Sequence, residues 1–242
     1  MAPGRWTSPT IHGLLIEAGR EGGLAVEQLV GALQQMFACT PATAAGIAAR
    51  ATAKSWPPRT SIVRQGEASA DTYLLIVGNA RATLVTADGR MMRLHDMSPG
   101  DLFGAIDAAA EQPADVTTLD RAETAGFAAT DFVALVEQHA CVGLLLSRSL
   151  VRRLGWMTEK LLERSTLSAA GRVHAELLRL ARAEDGRKIT PPPVLADLAQ
   201  RIQTTRETVS RTINTLERRG LIRRDAGALT IVAPHRLEDL VY

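Results

Sequence analysis

The chain predicts an α+β fold in two parts, and three observations carry that expectation. Between Ser61 and Phe132 short β-like runs alternate with turn signals at regular intervals. From Ala140 the apolar spacing becomes helical and stays so as far as Arg164. After Leu195 two short amphipathic helices are followed by a hairpin pattern. A length of 242 residues suits one large domain or two small ones, and 46% hydrophobic with 22% charged residues is an ordinary globular composition.

Taken in order, residues 1–35 form a helical extension. A short helix is expected around Ile11 to Ala18, then a Gly22-Gly23 break, then a second helix from Val26 to Met36 with Val26, Leu29, Val30 and Leu33 on one side. No chemistry is visible there. Residues 36–139 hold the runs "SIVRQGE", "TYLLIVGNARATLVT", "ADGRMMRLHDMSPGDLFG" and "DVTTLDRAETAGFAA", separated by Gly66, Gly78-Asn79, Asp88-Gly89, Ser98-Pro99-Gly100 and Gln112-Pro113. That texture predicts a small antiparallel barrel or jelly roll. Residues 140–165 form one long helix in which Leu150, Leu154, Met157 and Leu161 are spaced four, three and four. Such an a/d seam on a helix leaving a compact roll points to a homodimer.

Residues 166–242 begin with a helix from Ser168 to Arg182 and a polar, proline-stiffened connection, "RAEDGRKITPPP". Leu195, Leu198, Ala199 and Ile202 make one amphipathic helix, "QTT" a tight turn, and Thr205 to Arg219 the next helix, which Gly220 stops. "LIRRDAGALTIVAP" then reads as two short strands around Asp225 to Gly227. The segment is a winged helix-turn-helix, whose second helix offers its N-terminal half to a DNA major groove.

The surface chemistry of that helix fits. At about 100° per residue, Arg206, Glu207, Ser210, Arg211 and Asn214 fall on one arc, while Val209, Thr212, Ile213 and Leu216 fall on the opposite one. An arginine can donate twice to guanine O6 and N7, and a glutamate can accept from cytosine N4. Thr204, Thr205 and Ser210 are short donors suited to phosphates or bases. Net charge is only +2, yet Ala196 to Arg224 holds seven basic residues against three acidic. A local basic patch on a near-neutral chain is what a nucleic-acid contact needs, because neutralised phosphates release counterions.

Other classes find little support. Cys39 and Cys141 are far apart in sequence and show no metal-ligand spacing, so they read as small buried residues of a reducing compartment. No apolar run approaches the roughly 20 residues of a membrane span, and the N-terminal stretch has no long apolar core; a cytoplasmic protein with no membrane partner is expected. Asp107, Glu111 and Asp115 cluster in sequence, but no nucleophile and base, metal-ligand spacing or phosphate loop accompanies them, so no catalytic or metal residue is assigned and no enzyme is expected.

The motifs "GxxxxxxYLLIVGNARATL" and "PGDLFG", a long helix, then "TTRETVSRTINTLERRGLI" and a wing together resemble the Crp/Fnr superfamily of bacterial transcription regulators, over about Met36 to Val232. The resemblance implies a cyclic-nucleotide-binding-like roll as sensor, a homodimer, RNA polymerase as a partner and a two-fold symmetric, palindromic operator on double-stranded DNA. In that family the first Arg, the Glu and the last Arg of "RETVSR" read the half-site; here these are Arg206, Glu207 and Arg211. Ser210 occupies a position also used by the nitrate and oxygen regulators, and half-sites are of the TGTGA or TTGAT kind.

The sensor departs from the family's cyclic-AMP binders. The position of their ribose-binding glutamate is Ala105, and their phosphate-binding Arg-Ser pair falls on Asp115 and Val116. A carboxylate there repels an anion, so cyclic AMP is not the expected effector. Two cysteines cannot supply the four ligands of an Fnr-type iron-sulfur cluster. Haem members use axial histidines, and His12, His95, His139, His174 and His235 are single residues that read as structural. No cofactor is therefore expected. Matching the family's pocket gives Ala105, Asp107, Asp115, Thr117, Met157 and Thr158 as effector-pocket candidates. The alternative is a sensing module for cyclic di-GMP, haem or a metabolite whose helix-turn-helix serves protein contact.

Overall fold

The computed structural model describes residues 24–89, 91–106 and 111–241. The expected helix Ile11 to Ala18, His12 and the pocket candidate Asp107 lie outside the described residues. The chain forms two compact units. One comprises the described residues up to Ala80 with Met97–Gln112 and Val116–Leu146; the other comprises Arg81–Asp96, Pro113–Asp115 and the residues from Ser147 on.

The first unit opens with helices α1 (Val26–Phe37) and α2 (Pro41–Ala48). Thr40 caps α2, its hydroxyl accepting from the Thr43 amide at 3.2 Å, and Pro41 takes the first helical position, where no amide is needed. The division expected between residues 35 and 36 falls inside α1. The reason is packing: Leu29, Leu33 and Phe37 share one buried core with Leu74, Ile76, Phe127 and Phe132. Each such side chain contributes about 1.5–3 kcal/mol on burial, so α1 and the strands stabilise each other. Cys39 and Cys141, distant in sequence, are neighbours at the edge of this core. They are half-buried rather than buried, and burial, followed by the neighbouring Cys141 thiol, pushes the Cys39 thiol up.

Strands β1 (Thr52–Trp56), β2 (Ser61–Val63), β3 (Asp71–Val77), β4 (Ala80–Val85), β5 (Met91–Met97), β6 (Leu102–Gly104), β7 (Asp115–Thr118) and β8 (Ala122–Ala128) make two four-stranded sheets, ordered β1-β8-β3-β6 and β2-β7-β4-β5. This is the expected antiparallel jelly roll. In the first sheet Tyr73 sits opposite Gly126 on one side and Phe103 on the other, and the rings of Tyr73 and Phe103 stack at 5.4 Å. The buried Trp56 satisfies its indole N–H by donating to the Thr124 hydroxyl at 2.9 Å. The last glycine of "PGDLFG" is a geometric requirement. Gly104 has φ of 94°, and a Cβ there would meet the Asp71 carbonyl oxygen at 2.3 Å.

Helix α3 (Ala129–Gln138) closes the core with Phe132 and Leu135, and α4 (Ala140–Thr166) follows as a 27-residue helix. Among the described residues no single helix is long and apolar enough to cross a membrane.

In the second unit α5 (Ala169–Ala183) is capped by Ser168, whose hydroxyl accepts from the Gly171 amide at 3.0 Å. Strand β9 (Lys188–Ile189), helices α6 (Leu195–Arg201) and α7 (Arg206–Arg218), strands β10 (Ile222–Arg224) and β11 (Leu229–Ile231) and helix α8 (Pro234–Glu238) complete it. The connection expected to be only a stiff loop thus contains β9, which pairs with β11 and widens the hairpin to a sheet ordered β10-β11-β9. Val173, Leu177, Leu198, Val209, Ile213, Leu216, Ile231 and Leu237 form its core. All three apolar residues of the expected inner α7 arc are buried, and Thr212 is half-buried.

Candidate nucleic-acid interface

The turn between α6 and α7 sets the direction of the second helix. Gln203 takes a left-handed conformation, φ 52°, and the Thr204 amide donates back to the Ala199 carbonyl at 3.0 Å. Arg172 holds the turn from α5: its Nε donates to the Ile202 carbonyl at 3.2 Å and its Nη1 to the Leu167 carbonyl at 3.0 Å. Thr205 then caps α7, its Oγ1 accepting from the Thr208 amide at 3.2 Å. The cap uses one lone pair of Thr205, so this expected DNA donor is first a structural residue.

Beyond the cap the display arc forms as the helical period requires. Arg206, Glu207 and Arg211 are exposed and Ser210 is half-buried. Leu195, Arg206, Glu207, Ser210, Arg211 and Asn214 line one open concavity of about 480 Å³. Neither Arg206 nor Arg211 makes an ion pair among the described residues. Their five guanidinium donors each are thus available to an acceptor. Glu207 is held below the usual carboxylate range by its own backbone amide, the Thr205 hydroxyl and Arg206. It is an acceptor only, the form that can take a hydrogen bond from cytosine N4.

Two residues at the edge of this face do something else. Asn214 Oδ1 accepts from Arg224 Nη2 at 2.9 Å, and Arg224 also pairs with Glu217. Arg224 lies on β10, so the pairing fixes the wing against α7. It also removes Arg224 from the free charge counted in the sequence, as the Arg201–Glu176 pair at 3.4 Å does for Arg201. Arg172, Glu217 and Arg224 are the positioning residues that sequence reasoning missed. No periodicity links them; only the packing of the wing and of α5 on the helix pair does.

The seam residues Leu150, Leu154, Met157 and Leu161 are 54%, 66%, 55% and 68% exposed. Val151 and Leu162 extend the same apolar surface along α4. Only Val142 of that helix is buried.

The described effector candidates are divided between the two units, Ala105 and Thr117 in the first and Asp115, Met157 and Thr158 in the second. Ala105 is buried, its amide donating to the Asp71 carbonyl at 2.9 Å and its carbonyl accepting from the Thr72 hydroxyl. Thr117 pairs in register with Ser61, and Asp115 opens β7 next to the buried Val116. Met157 and Thr158 line a cavity of about 470 Å³ whose other walls are β5 and the turn after α6. Ala105, Asp115 and Thr117 are not among its lining residues. Of the histidines, His174 Nδ1 meets the Leu240 carbonyl at 2.9 Å and burial lowers its pKa, while His235 is exposed beside Glu238. No group of three His, Cys, Asp or Glu side chains suited to a metal ion occurs among the described residues.

A β-roll followed by a long helix and a winged helix-turn-helix with an uncommitted Arg/Glu/Arg arc is the architecture of a DNA-binding transcription regulator. Residues 53–139 match the cyclic nucleotide-binding domain model and residues 171–240 match the Crp-like helix-turn-helix domain model. The cyclic AMP receptor protein of Thermus thermophilus is 29% identical over 196 residues, covering 77% of this chain and 87% of the relative. The cAMP-activated global transcriptional regulator CRP of Salmonella typhimurium is 26% identical over 176 residues, 69% and 83% of the two chains. Among solved structures, the c-di-GMP responsive global regulator CLP of Xanthomonas campestris superposes with a TM-score of 0.70 at 18% identity, over 79% of this chain and 99% of that one. The chain belongs to the Crp/Fnr superfamily of transcription regulators, a family of regulators and not of enzymes.

Proposed function

We propose that this chain is a homodimeric, sequence-specific transcription regulator that reads a two-fold symmetric operator with α7. The observation that carries the reading is the arc of Arg206, Glu207, Ser210 and Arg211, exposed together on the N-terminal half of a capped helix. Arg206 and Arg211 supply bidentate donors for guanines, and Glu207 supplies the acceptor for a cytosine. Thr204 and the α7 N-terminus favour phosphate oxygens, which fix register without reading sequence. The exposed seam on α4 supports dimerisation, and two-fold symmetry of the dimer then sets half-sites about one helical turn apart. The effector candidates, the cytoplasmic location and an RNA polymerase contact belong to the same reading.

Control by a signal other than cyclic AMP is part of the proposal. The Salmonella relative is named a cAMP-activated regulator. In this chain the positions that match the family's phosphate-binding pair hold Asp115 and the buried Val116, and the matching ribose position holds Ala105. An acidic and two apolar side chains provide no counter-charge for a cyclic phosphate. We likewise propose that the protein works without an iron-sulfur cluster or haem.

Selection of sites from random duplex DNA by the purified full chain, with and without cyclic AMP, tests the reading. A palindromic motif with equal enrichment in both arms is expected. Enrichment that depends on cyclic AMP would overturn the effector assignment, and an enriched asymmetric site would overturn the dimer.

A further inference from the structure

The tie between the wing and α7 commits one end of the Asn214 amide and leaves the other end on the display face. Arg224 sits on β10 opposite Leu229 of β11, and Ile222, Leu229 and Ile231 are buried, so its backbone is anchored in the core of the unit. Its Nε donates to Glu217 Oε2 at 3.1 Å. Its Nη2 donates both to that oxygen and to Asn214 Oδ1, the latter at 2.9 Å. The hydrogen bond from Arg224 holds the Glu217 carboxyl below its usual range, and the bridge is a charge-assisted one.

A guanidinium offers only donors. The Asn214 amide must therefore turn its oxygen toward Arg224 and its nitrogen away from it. Asn214 is exposed and lines the same open concavity as Arg206, Glu207, Ser210 and Arg211. Its Nδ2 has no hydrogen-bond partner among the described residues. Two donors are thus presented beside the reading arc. A base amino group approaching Oδ1 meets the Arg224 donor already there, whereas a base acceptor approaching Nδ2 meets no competitor. Asn214 also lies three residues beyond Arg211, about 4.5 Å further along the helix axis, and successive base pairs are about 3.4 Å apart.

We propose that Asn214 reads guanine, its Nδ2 donating to O6 and N7, at the base pair next to the one that Arg211 reads, and that Arg224 is the positioning residue that sets this choice. An unrestrained asparagine pairs with adenine instead, accepting from N6 with its oxygen and donating to N7 with its nitrogen. With Oδ1 held by Arg224, the second pattern is disfavoured and the donor pattern remains. The assignment deepens the operator reading of α7 and rests on it. It gives the wing a part in sequence choice through a side chain on the neighbouring helix.

The test takes the full chain and its variants through site selection from random duplex DNA, then measures affinity for each single-base change of the selected operator. Asn214→Ala identifies the position by the loss of discrimination there. At that position the wild-type chain is expected to prefer guanine over adenine about tenfold. Arg224→Met releases the amide while keeping an apolar stem, and should move the preference from guanine to adenine. Asn214→Asp keeps a partner for Arg224 and replaces the two donors with an acceptor, so the preference should move to cytosine, whose N4 donates; this variant serves where Arg224→Met fails to fold. Adenine preferred by the wild type, discrimination that survives Asn214→Ala at every position, or guanine preference retained in a folded Arg224→Met or Asn214→Asp chain would overturn the assignment. Where those results accompany an operator that still loses discrimination in Arg211→Ala, the role of Asn214 falls alone. Where no operator is selected, the reading of α7 falls and the role of Asn214 with it.

Discussion

Single side chains in this molecule hold either a geometry or a charge, and the two kinds respond to different perturbations. Thr205 holds a geometry. Thr205→Ala removes the α7 cap and should lower unfolding free energy by about 1 kcal/mol, while Thr205→Ser retains it; urea denaturation of both variants measures the difference. His95 and His174 carry the pH response. Both have folded pKa values depressed by burial, His95 from 6.5 to about 4. The unfolded chain therefore binds more protons as pH falls below 6.5, and stability falls with it until His95 also protonates in the folded state near 4. The melting temperature should drop between pH 7 and pH 5, and His95→Asn should flatten that slope; an unchanged slope would remove His95 from the account. Residue roles were unevenly legible in the sequence. Arg206, Glu207 and Arg211 could be read because a helical period fixes which side chains face out. Arg93 could not, since a charge in "MMRLHDM" reads as solvent-facing on a strand, and only the packing around β5 buries it.

Elements were legible where their periodicity was strong and long. Strands β2 to β8 of the roll, α4 and the helix-turn-helix follow from spacing and turn residues, whereas β1 lies ahead of the expected runs, which began at Ser61. Strand β9 did not, because two residues inside a proline-rich connection carry no period, and their strand character comes from pairing with β11. The place of α1 was hidden for a similar reason: its apolar stripe was visible, but not that it completes the core of the roll. Two predictions belong to this scale. Gly104→Ala forces a Cβ to 2.3 Å from the Asp71 carbonyl at a left-handed φ, so it should cost at least about 1 kcal/mol by urea denaturation; Gly89→Ala, with open space around it, should cost less. Leu154→Glu places a charge in the exposed seam of α4 and should halve the sedimenting mass at micromolar concentration. A dimer that persists in that variant would move the interface off the seam.

Over the whole molecule, a sensor roll and a DNA-reading unit are joined in one chain, and their coupling needs a ligand or partner that prefers one arrangement of the regulator over another. The central claim is that the Arg206, Glu207, Arg211 arc reads bases and not merely phosphate. It is tested most directly by measuring wild type and Arg211→Ala on the selected operator, on each single-base variant of it, and on random duplex. Arg211→Ala is expected to lose about 1–3 kcal/mol on the operator and little on random DNA, with discrimination disappearing at one base pair in each half-site. An equal loss on every sequence, operator and random alike, would show that Arg211 touches only the backbone and would contradict that claim.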